Sequence, residues 1–273
     1  MRYCLFLIVF ISAAVFASPE KFALIIGNNT GLSEDPPLKY AAADAQKVYK
    51  VLTDIGKINS DRAYLMLNKS VSEIRGIFRE TLGRTKEISL SGGDSYVMIY
   101  YSGHGSREAL HIRGERLLIS DVKEYFSEMK AKVKLLVADA CYSGSLISEK
   151  GGTVSGPTEV KFFDNMEVEG SAVITSCSPG ELSHESGDLK GSLFTHYFVS
   201  ALRGAADFNG DKKVSLWESY SFARQHTARK GMNVKNFSQT PLYEFRIKGR
   251  NDLTVTDLNT SKSLLMFHDL QED

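Results

Sequence analysis

Four apolar runs constrain the fold of this chain more than any other feature of its sequence. The runs are 22–27, 96–101, 133–138 and 172–175, and 63–67 is a weaker fifth candidate. Polar and apolar residues hardly alternate within them, so both faces of each predicted strand must be covered by other parts of the chain. This pattern predicts a parallel sheet buried inside a domain.

Amphipathic segments of helical period lie between these runs. They span 38–55, 71–85, 121–129 and 194–202. In the first of them, Ala45, Val48 and Leu52 fall on one face. Strands that alternate with helices predict an α/β sandwich, with helices on both faces of the sheet. The 273 residues, 42% of them hydrophobic, are enough for one sizeable core.

The two ends of the chain are predicted to lie outside this domain. Residues 1–17 have a positive start, an apolar run over 5–16 and a small residue at Ala17, which is the layout of a secretory signal peptide cut after Ala17. An uncleaved anchor is the alternative. Cleavage predicts a secreted or periplasmic protein, with its domain at 18–250 and a polar tail at 251–273. Within the domain, 145–170 is rich in Gly, Ser, Lys and Glu, and predicts a long mobile loop.

Charge and cysteine content exclude some classes of protein. The 33 basic and 33 acidic side chains give no net field that would attract nucleic acid or an anionic membrane. Without residues 1–17 the chain keeps only Cys141 and Cys177, too few for a disulfide scaffold. No segment after residue 17 is apolar enough to span a membrane. Nucleic acid and a membrane are therefore not expected partners.

A histidine and a cysteine follow two of the predicted strands. The sequence YSGHG at 101–105 contains His104, and DACYSG at 139–144 contains Cys141. Ligands of open α/β sheets bind beyond the carboxyl ends of the strands, so the two side chains can lie next to each other. A histidine can take the proton from a thiol and make it nucleophilic. Free amides near Gly105 and Cys141 could stabilise an oxyanion.

Each residue also has a simpler explanation. A single cysteine at a strand end is more often a small buried apolar residue, and a histidine between glycines is more often part of a turn. Two such residues at adjacent strand ends make a coincidence less plausible. From spacing alone, catalysis and coincidence both stay open.

The residues of both motifs resemble the two catalytic motifs of the caspase-like cysteine peptidases, specifically those of the metacaspase branch. The sequence KFALIIGN at 21–28 is similar to the first strand of that family, and 38–45 to the start of its first helix. Residues 176–186 are similar to its substrate-pocket strand and the loop that follows. The resemblance covers about 20–245. It implies a three-layer α/β/α sandwich around a mainly parallel six-stranded sheet, with Cys141 and His104 as a catalytic dyad and no third member.

The resemblance to metacaspases also implies a substrate preference. That branch has acidic residues at the positions of Asp44 and Asp139 and cleaves after Arg or Lys, whereas caspases have Gln at the second position and cleave after Asp. The alternatives are a surface charge on a helix for Asp44 and a strand-end side chain bonded to a backbone amide for Asp139. Ser176 and Cys177 are expected to line the same pocket. Cys177 either forms an apolar wall or pairs with Cys141 under oxidising conditions.

A segment outside these motifs resembles an EF-hand calcium loop. Oxygen-bearing side chains fall at positions 1, 3, 5, 9 and 12 of a twelve-residue loop, and the carbonyl of position 7 completes the set. These residues are Asp207, Asn209, Asp211, Lys213, Ser215 and Glu218. Lys212 stands where the motif has Gly. The alternative is a polar turn between two helices, capped by Ser215 or Asp211.

These features predict an exported cysteine endopeptidase that cleaves peptides and proteins after Arg or Lys and needs no cofactor for catalysis. Lys150 and Lys161 match that preference and are candidate sites of self-cleavage in the loop at 145–170. One alternative is a catalytically silent module that binds or signals. Another is a cysteine-dependent enzyme acting on small amides.

Overall fold

The chain folds around a six-stranded sheet in the computed structural model, which describes residues 18–141, 169–235, 237–248 and 252–260. The strands are β1 (Glu20–Gly27), β2 (Ala63–Leu67), β3 (Ser95–Ser102), β4 (His104–Gly105), β5 (Ala109–Ile112), β6 (Glu115–Leu118), β7 (Val133–Asp139), β8 (Glu169–Thr175), β9 (Glu185–Ser186), β10 (Gly191–Ser192), β11 (Lys213–Ser215), β12 (Leu242–Lys248) and β13 (Thr254–Asp257). The helices are α1 (Ala41–Asp54), α2 (Val71–Leu90), α3 (Ile119–Glu128), α4 (Leu193–Ser200) and α5 (Leu216–Lys235).

The central sheet has the order β2-β1-β3-β7-β8-β12. The pairs from β2 to β8 are parallel, and β12 runs antiparallel to β8 at the edge. The predicted mainly parallel six-stranded sheet is confirmed. The sequence did not locate β12, because an edge strand alternates charged and apolar residues and carries no unbroken apolar run.

Two apolar clusters, one on each face of the sheet, form the core. Helices α1, α4 and α5 cover one face, with side chains such as Val48 and Phe198. Helices α2 and α3 cover the other, with Phe78 and Val122. The three-layer α/β/α arrangement is therefore confirmed, and it accounts for strands that are apolar on both faces.

Two predicted boundaries need correction. Residues 252–260, assigned to a polar tail, pack on the domain: β13 pairs with β11, and Val255 is buried in the core cluster on the α1 face. Glu169 and Gly170, assigned to the long loop, belong to β8. Both segments are polar in sequence, and their pairing partners are too far along the chain for local patterns to reveal.

Several predictions lie outside the described residues. These are the signal peptide at 1–17 and most of the long loop, with Lys150 and Lys161. Among the described helices, none is both long and apolar enough to cross a membrane.

Candidate active site

The carboxyl ends of β3 and β7 bring the two predicted catalytic residues to the same edge of the sheet. These strands pair in register up to Ser102 and Asp139, and the Gly103 amide then donates to the Asp139 carbonyl at 3.2 Å. His104 and Cys141 each follow two residues after that last pair. A Cβ added to Gly105 would lie 3.2 Å from the Cys141 carbonyl oxygen, so glycine allows the two strand ends to approach closely.

A backbone carbonyl fixes the protonation pattern of His104. Its Nε2 lies 2.7 Å from the carbonyl oxygen of Pro36. A carbonyl can only accept a hydrogen bond, so Nε2 carries the proton and Nδ1 of the neutral ring keeps a lone pair. Nδ1 is therefore the atom that can take a proton. The sequence did not reveal Pro36, because the contact uses its backbone and spans 68 positions.

Tyr101 supports the backbone around His104. Its hydroxyl donates to the carbonyl oxygens of His104, at 2.7 Å, and His111, at 3.3 Å. Burial raises the pKa of this phenol far above its usual range, so it stays a neutral donor. A side chain at Gly103 would collide with the Tyr101 hydroxyl.

Cys141 is partly exposed, and its Sγ lies 3.8 Å from the carbonyl oxygen of Ser183. Burial raises the pKa of the thiol, and the nearby Cys177 and Asp139 act in the same direction. The hydrogen bonds found within the described residues do not join Cys141 to His104. The site therefore holds a neutral thiol that needs a base, not a preformed thiolate–imidazolium pair.

Hydroxyl groups surround the carboxylate of Asp139, which is 3% exposed. Oδ1 accepts from Ser183 Oγ at 2.6 Å. Oδ2 accepts from Thr195 Oγ1 at 2.6 Å and from the Ser192 hydroxyl. The alternative of a carboxylate bonded to a nearby backbone amide does not match these partners. The sequence missed the three hydroxyl residues, since each lies at least 44 positions away.

Asp44 lies close to Asp139 and is fully buried, which excludes an ordinary surface charge on α1. Its Oδ2 accepts from the Ser192 amide at 2.7 Å, and its Oδ1 accepts from Lys47 Nζ at 2.9 Å. Lys47 also donates to the Lys190 carbonyl oxygen at 2.7 Å. Burial raises the pKa of Asp44 to about 6, and the nearby Asp139 contributes to this rise. The hydrogen bonds that Asp44 accepts from Ser192 and Lys47 act in the opposite direction.

The two other predicted pocket residues face inward. Ser176 and Cys177 are both fully buried, and Cys177 Sγ donates to the Ala140 carbonyl oxygen at 3.4 Å. The Ser176 hydroxyl has no hydrogen-bond partner among the described residues. No disulfide joins Cys141 and Cys177 in this structure. In this conformation neither side chain is exposed to a substrate, so the predicted lining of the pocket by these two residues is not observed.

His111, on β5, contacts the loop that carries Pro36. Its Nδ1 lies 2.7 Å from Asp35 Oδ2. Burial alone would raise the pKa of Asp35, but hydrogen bonds from the Leu32 amide and His111 hold that pKa below its ordinary value. Asp35 is therefore an ionised acceptor.

The predicted calcium loop, 207–218, consists of a bent segment at 207–212, strand β11 and the start of α5. The Asn209, Asp211 and Asp207 side chains each accept a backbone amide from within the loop. Glu218 accepts from the Ser215 amide, and Ser215 Oγ accepts from the Glu218 amide, so the two cap α5. This matches the capped-turn alternative. In the described ranges, no three His, Cys, Asp or Glu side chains form a group that could hold a metal. Calcium binding here stays a prediction.

Comparisons with known proteins agree with this fold and identify a family. A family model described as "Caspase domain" matches residues 20–251. Among solved structures, caspase-1 from Spodoptera frugiperda is similar, with a TM-score of 0.57 at 17% identity over 94% of this chain and 98% of that one. At that identity the similarity concerns the fold. A search of curated proteins returned no match.

Proposed function

Since the chain belongs to the caspase-domain family of cysteine peptidases, we propose that it is an endopeptidase that cleaves proteins after Arg or Lys. One observation carries this proposal. Ser183 links the thiol to the acidic cluster, which consists of Asp44 and Asp139. The Ser183 carbonyl accepts from Cys141 Sγ, and its hydroxyl donates to Asp139. The nucleophile and the buried carboxylate of Asp139 therefore both contact the same residue.

In the proposed reaction, His104 Nδ1 takes the proton of the Cys141 thiol as the sulfur attacks the carbonyl carbon of the scissile bond. Amides near Gly105 and Cys141 stabilise the oxyanion of the tetrahedral intermediate. His104 then gives its proton to the leaving amine, and a thioester to Cys141 remains. Water, deprotonated by His104, hydrolyses the thioester and restores the thiol.

The charge balance of the pocket supports a cationic substrate side chain. Asp44 and Asp139 are two buried carboxylates, and Lys47 forms an ion pair with Asp44. One further positive charge would balance this set, and buried charges are stabilised by such pairing. This supports assignment to the metacaspase branch.

Peptide cleavage tests the proposal directly. Matched peptides ending in Arg, Lys or Asp before the cut are incubated with the wild type, Cys141→Ala and His104→Ala. We expect cleavage after Arg and Lys by the wild type, and a loss of nearly all activity in each variant, because both residues belong to one catalytic unit. Faster cleavage after Asp, or activity within tenfold of wild type in either variant, would overturn it.

The remaining parts of the proposal concern export and self-processing. Residues 1–17 direct export and are then removed, and the enzyme cuts its own chain after Lys150 or Lys161. Mass spectrometry of wild type and Cys141→Ala, each purified from an exporting host, examines both. Both proteins should begin at Ser18, and only the wild type should show the internal cut. A wild type with no internal cut would argue against self-processing.

The catalytically silent module is the second candidate from the sequence, and the same peptides separate it from the enzyme. The free thiol of Cys141 and the unprotonated Nδ1 of His104 favour catalysis, because a binding module has no chemical need for them.

A further inference from the structure

The loop between β1 and α1 carries Pro36, whose carbonyl orients His104. Several contacts fix this loop against the β5–β6 hairpin. The Arg113 amide donates to the Thr30 carbonyl oxygen, and the Gly114 amide to that of Gly31, each at 2.8 Å. These backbone bonds hold the start of the loop but lie several residues before Pro36.

Asp35 fixes the part of the loop next to Pro36. Its Oδ2 accepts from the Leu32 amide at 2.7 Å and from His111 Nδ1 at 2.7 Å. The Asp35 amide donates to the Leu32 carbonyl oxygen at 3.1 Å. A Cβ at Gly31 would lie only 2.8 Å from Asp35 Cβ, so the carboxylate packs tightly on the loop.

His111, the partner of Asp35, lies on the strand that pairs with the backbone of His104. His111 on β5 stands opposite His104 on β4 in the antiparallel pair. The Tyr101 hydroxyl bonds to both of their carbonyl oxygens. The side chains of His111 and Asp35 are 12% and 18% exposed, so their contact is largely shielded from water. The pair therefore connects Asp35, the residue before Pro36, to the strand residue that pairs with His104.

We propose that Asp35 and His111 are positioning residues that hold the Pro36 carbonyl on Nε2 of His104. This inference rests on the proposed function only in assuming that His104 acts as the base. Without the contact between Asp35 and His111, the Pro36 carbonyl can move away from Nε2 of His104. The imidazole ring then loses its fixed orientation, and Nδ1 is no longer held in one position. Misplacement of a catalytic group by about 1 Å typically reduces the rate about 100-fold.

Steady-state kinetics with an Arg peptide give the first test. Asp35→Ala and His111→Gln should each lower kcat by about 10- to 100-fold and change KM less than about twofold, since neither residue lies in the acidic cluster. Asp35→Asn keeps an acceptor oxygen of the same size and should recover part of the loss. Asp121→Ala, which removes the Arg75 ion pair between α2 and α3, is the matched control and should leave kcat unchanged.

A second measurement does not depend on activity. In the Cys141→Ala background with ¹⁵N-labelled histidine, NMR should show the His104 Nε2 proton as a slowly exchanging, hydrogen-bonded signal. Adding Asp35→Ala or His111→Gln should abolish this signal by solvent exchange, and adding Asp121→Ala should not. An inactive wild type would sink the proposed function but leave this test intact.

An unchanged Nε2 proton signal in folded Asp35→Ala, or a kcat within twofold of wild type, would overturn the inference. If Asp35→Ala does not fold, His111→Gln decides by the same two measurements. Thermal melting of each variant establishes which of them is folded.

Discussion

Asp44 is the residue at which burial and charge oppose each other most clearly. Burial, with Asp139 close by, favours the neutral acid, whereas the Ser192 amide and Lys47 favour the anion, and its pKa is raised to about 6 from 3.8. The folded protein therefore binds this proton more tightly than the unfolded chain does. As a result, the contribution of Asp44 to folding stability falls as the pH rises from about 4 to about 6.

The same titration should appear in substrate preference. The ratio of kcat/KM for an Arg peptide to that for its neutral citrulline analogue should fall as the pH is lowered through about 6, because Asp44 then loses its charge. Taking the ratio cancels any effect of pH that is common to both substrates. Asp44→Asn should lower the ratio and remove this pH dependence. Asp54→Asn, an exposed position on the same helix, is the control. A pH-independent ratio in the wild type would contradict this assignment.

Residues with chemically distinctive side chains could be found from the sequence. Cys141, His104 and Asp139 lie at or just after the ends of strands, and Asp44 lies in the first turn of a helix, where the fold class predicts a site. Pro36 could not be found, because it acts through a carbonyl that every residue has. Lys47 could not be assigned either, since only the burial of Asp44 makes its charge important.

The β9–β10 hairpin is the element that closes the acidic cluster. Ser192 on β10 contacts both carboxylates, and Gly191 packs against the α1 side chains. A Cβ at Gly191 would lie 2.5 Å from Asp44 Oδ1 and 2.7 Å from Lys47 Nζ. The hairpin can therefore approach α1 only because this position is glycine.

Gly191→Ala should push the hairpin away from α1. We expect a loss of about 1–3 kcal/mol in unfolding free energy, as for other overpacked sites, and a higher KM for Arg peptides. Gly187→Ala is the matched control, since a Cβ there would meet no atom within 4 Å. Urea unfolding and steady-state kinetics measure both effects. Equal stability and equal KM for the two variants would show that the close approach is unimportant.

The elements that the sequence predicted well are those whose own residues determine them. Buried parallel strands and amphipathic helices have a local signature, and β2 was predicted with its observed bounds. Strands β9 and β10 have two residues each, and β13 has four. Segments of that length carry no periodicity, so their tertiary partners determine them.

In the whole molecule, β13 joins the ends of several elements. The Asp257 amide donates to the Ile55 carbonyl oxygen after α1, and Thr256 Oγ1 donates to the Leu202 carbonyl oxygen after α4. The Leu258 amide donates to the Lys212 carbonyl oxygen in the loop at 207–218. The conformation of the loop at 207–218 is therefore coupled, through β13 and the residue after it, to the packing of α1, α4 and α5.

Calcium at this loop should stabilise the whole domain. Asp207 Oδ1 is buried and has no hydrogen-bond partner among the described residues, so a cation would satisfy it. With a Kd of about 0.1–1 mM, calcium at about 5 mM should add about 1–2 kcal/mol of stability relative to chelator. Thermal melting measures this shift, which should vanish in Asp207→Asn with Asp211→Asn. No shift in the wild type would show that the segment is only a capped turn.

The most direct test of the central claim is covalent labelling of the whole protein by a peptide that ends in Arg and carries a thiol-reactive ketone. Mass spectrometry locates and counts the adducts. We expect one adduct per chain, on Cys141, with the Arg reagent, far slower labelling with the matched Asp reagent, and little labelling in His104→Ala. Labelling at Cys177, or equal rates for the Arg and Asp reagents, would contradict an Arg- or Lys-directed peptidase in which His104 activates Cys141.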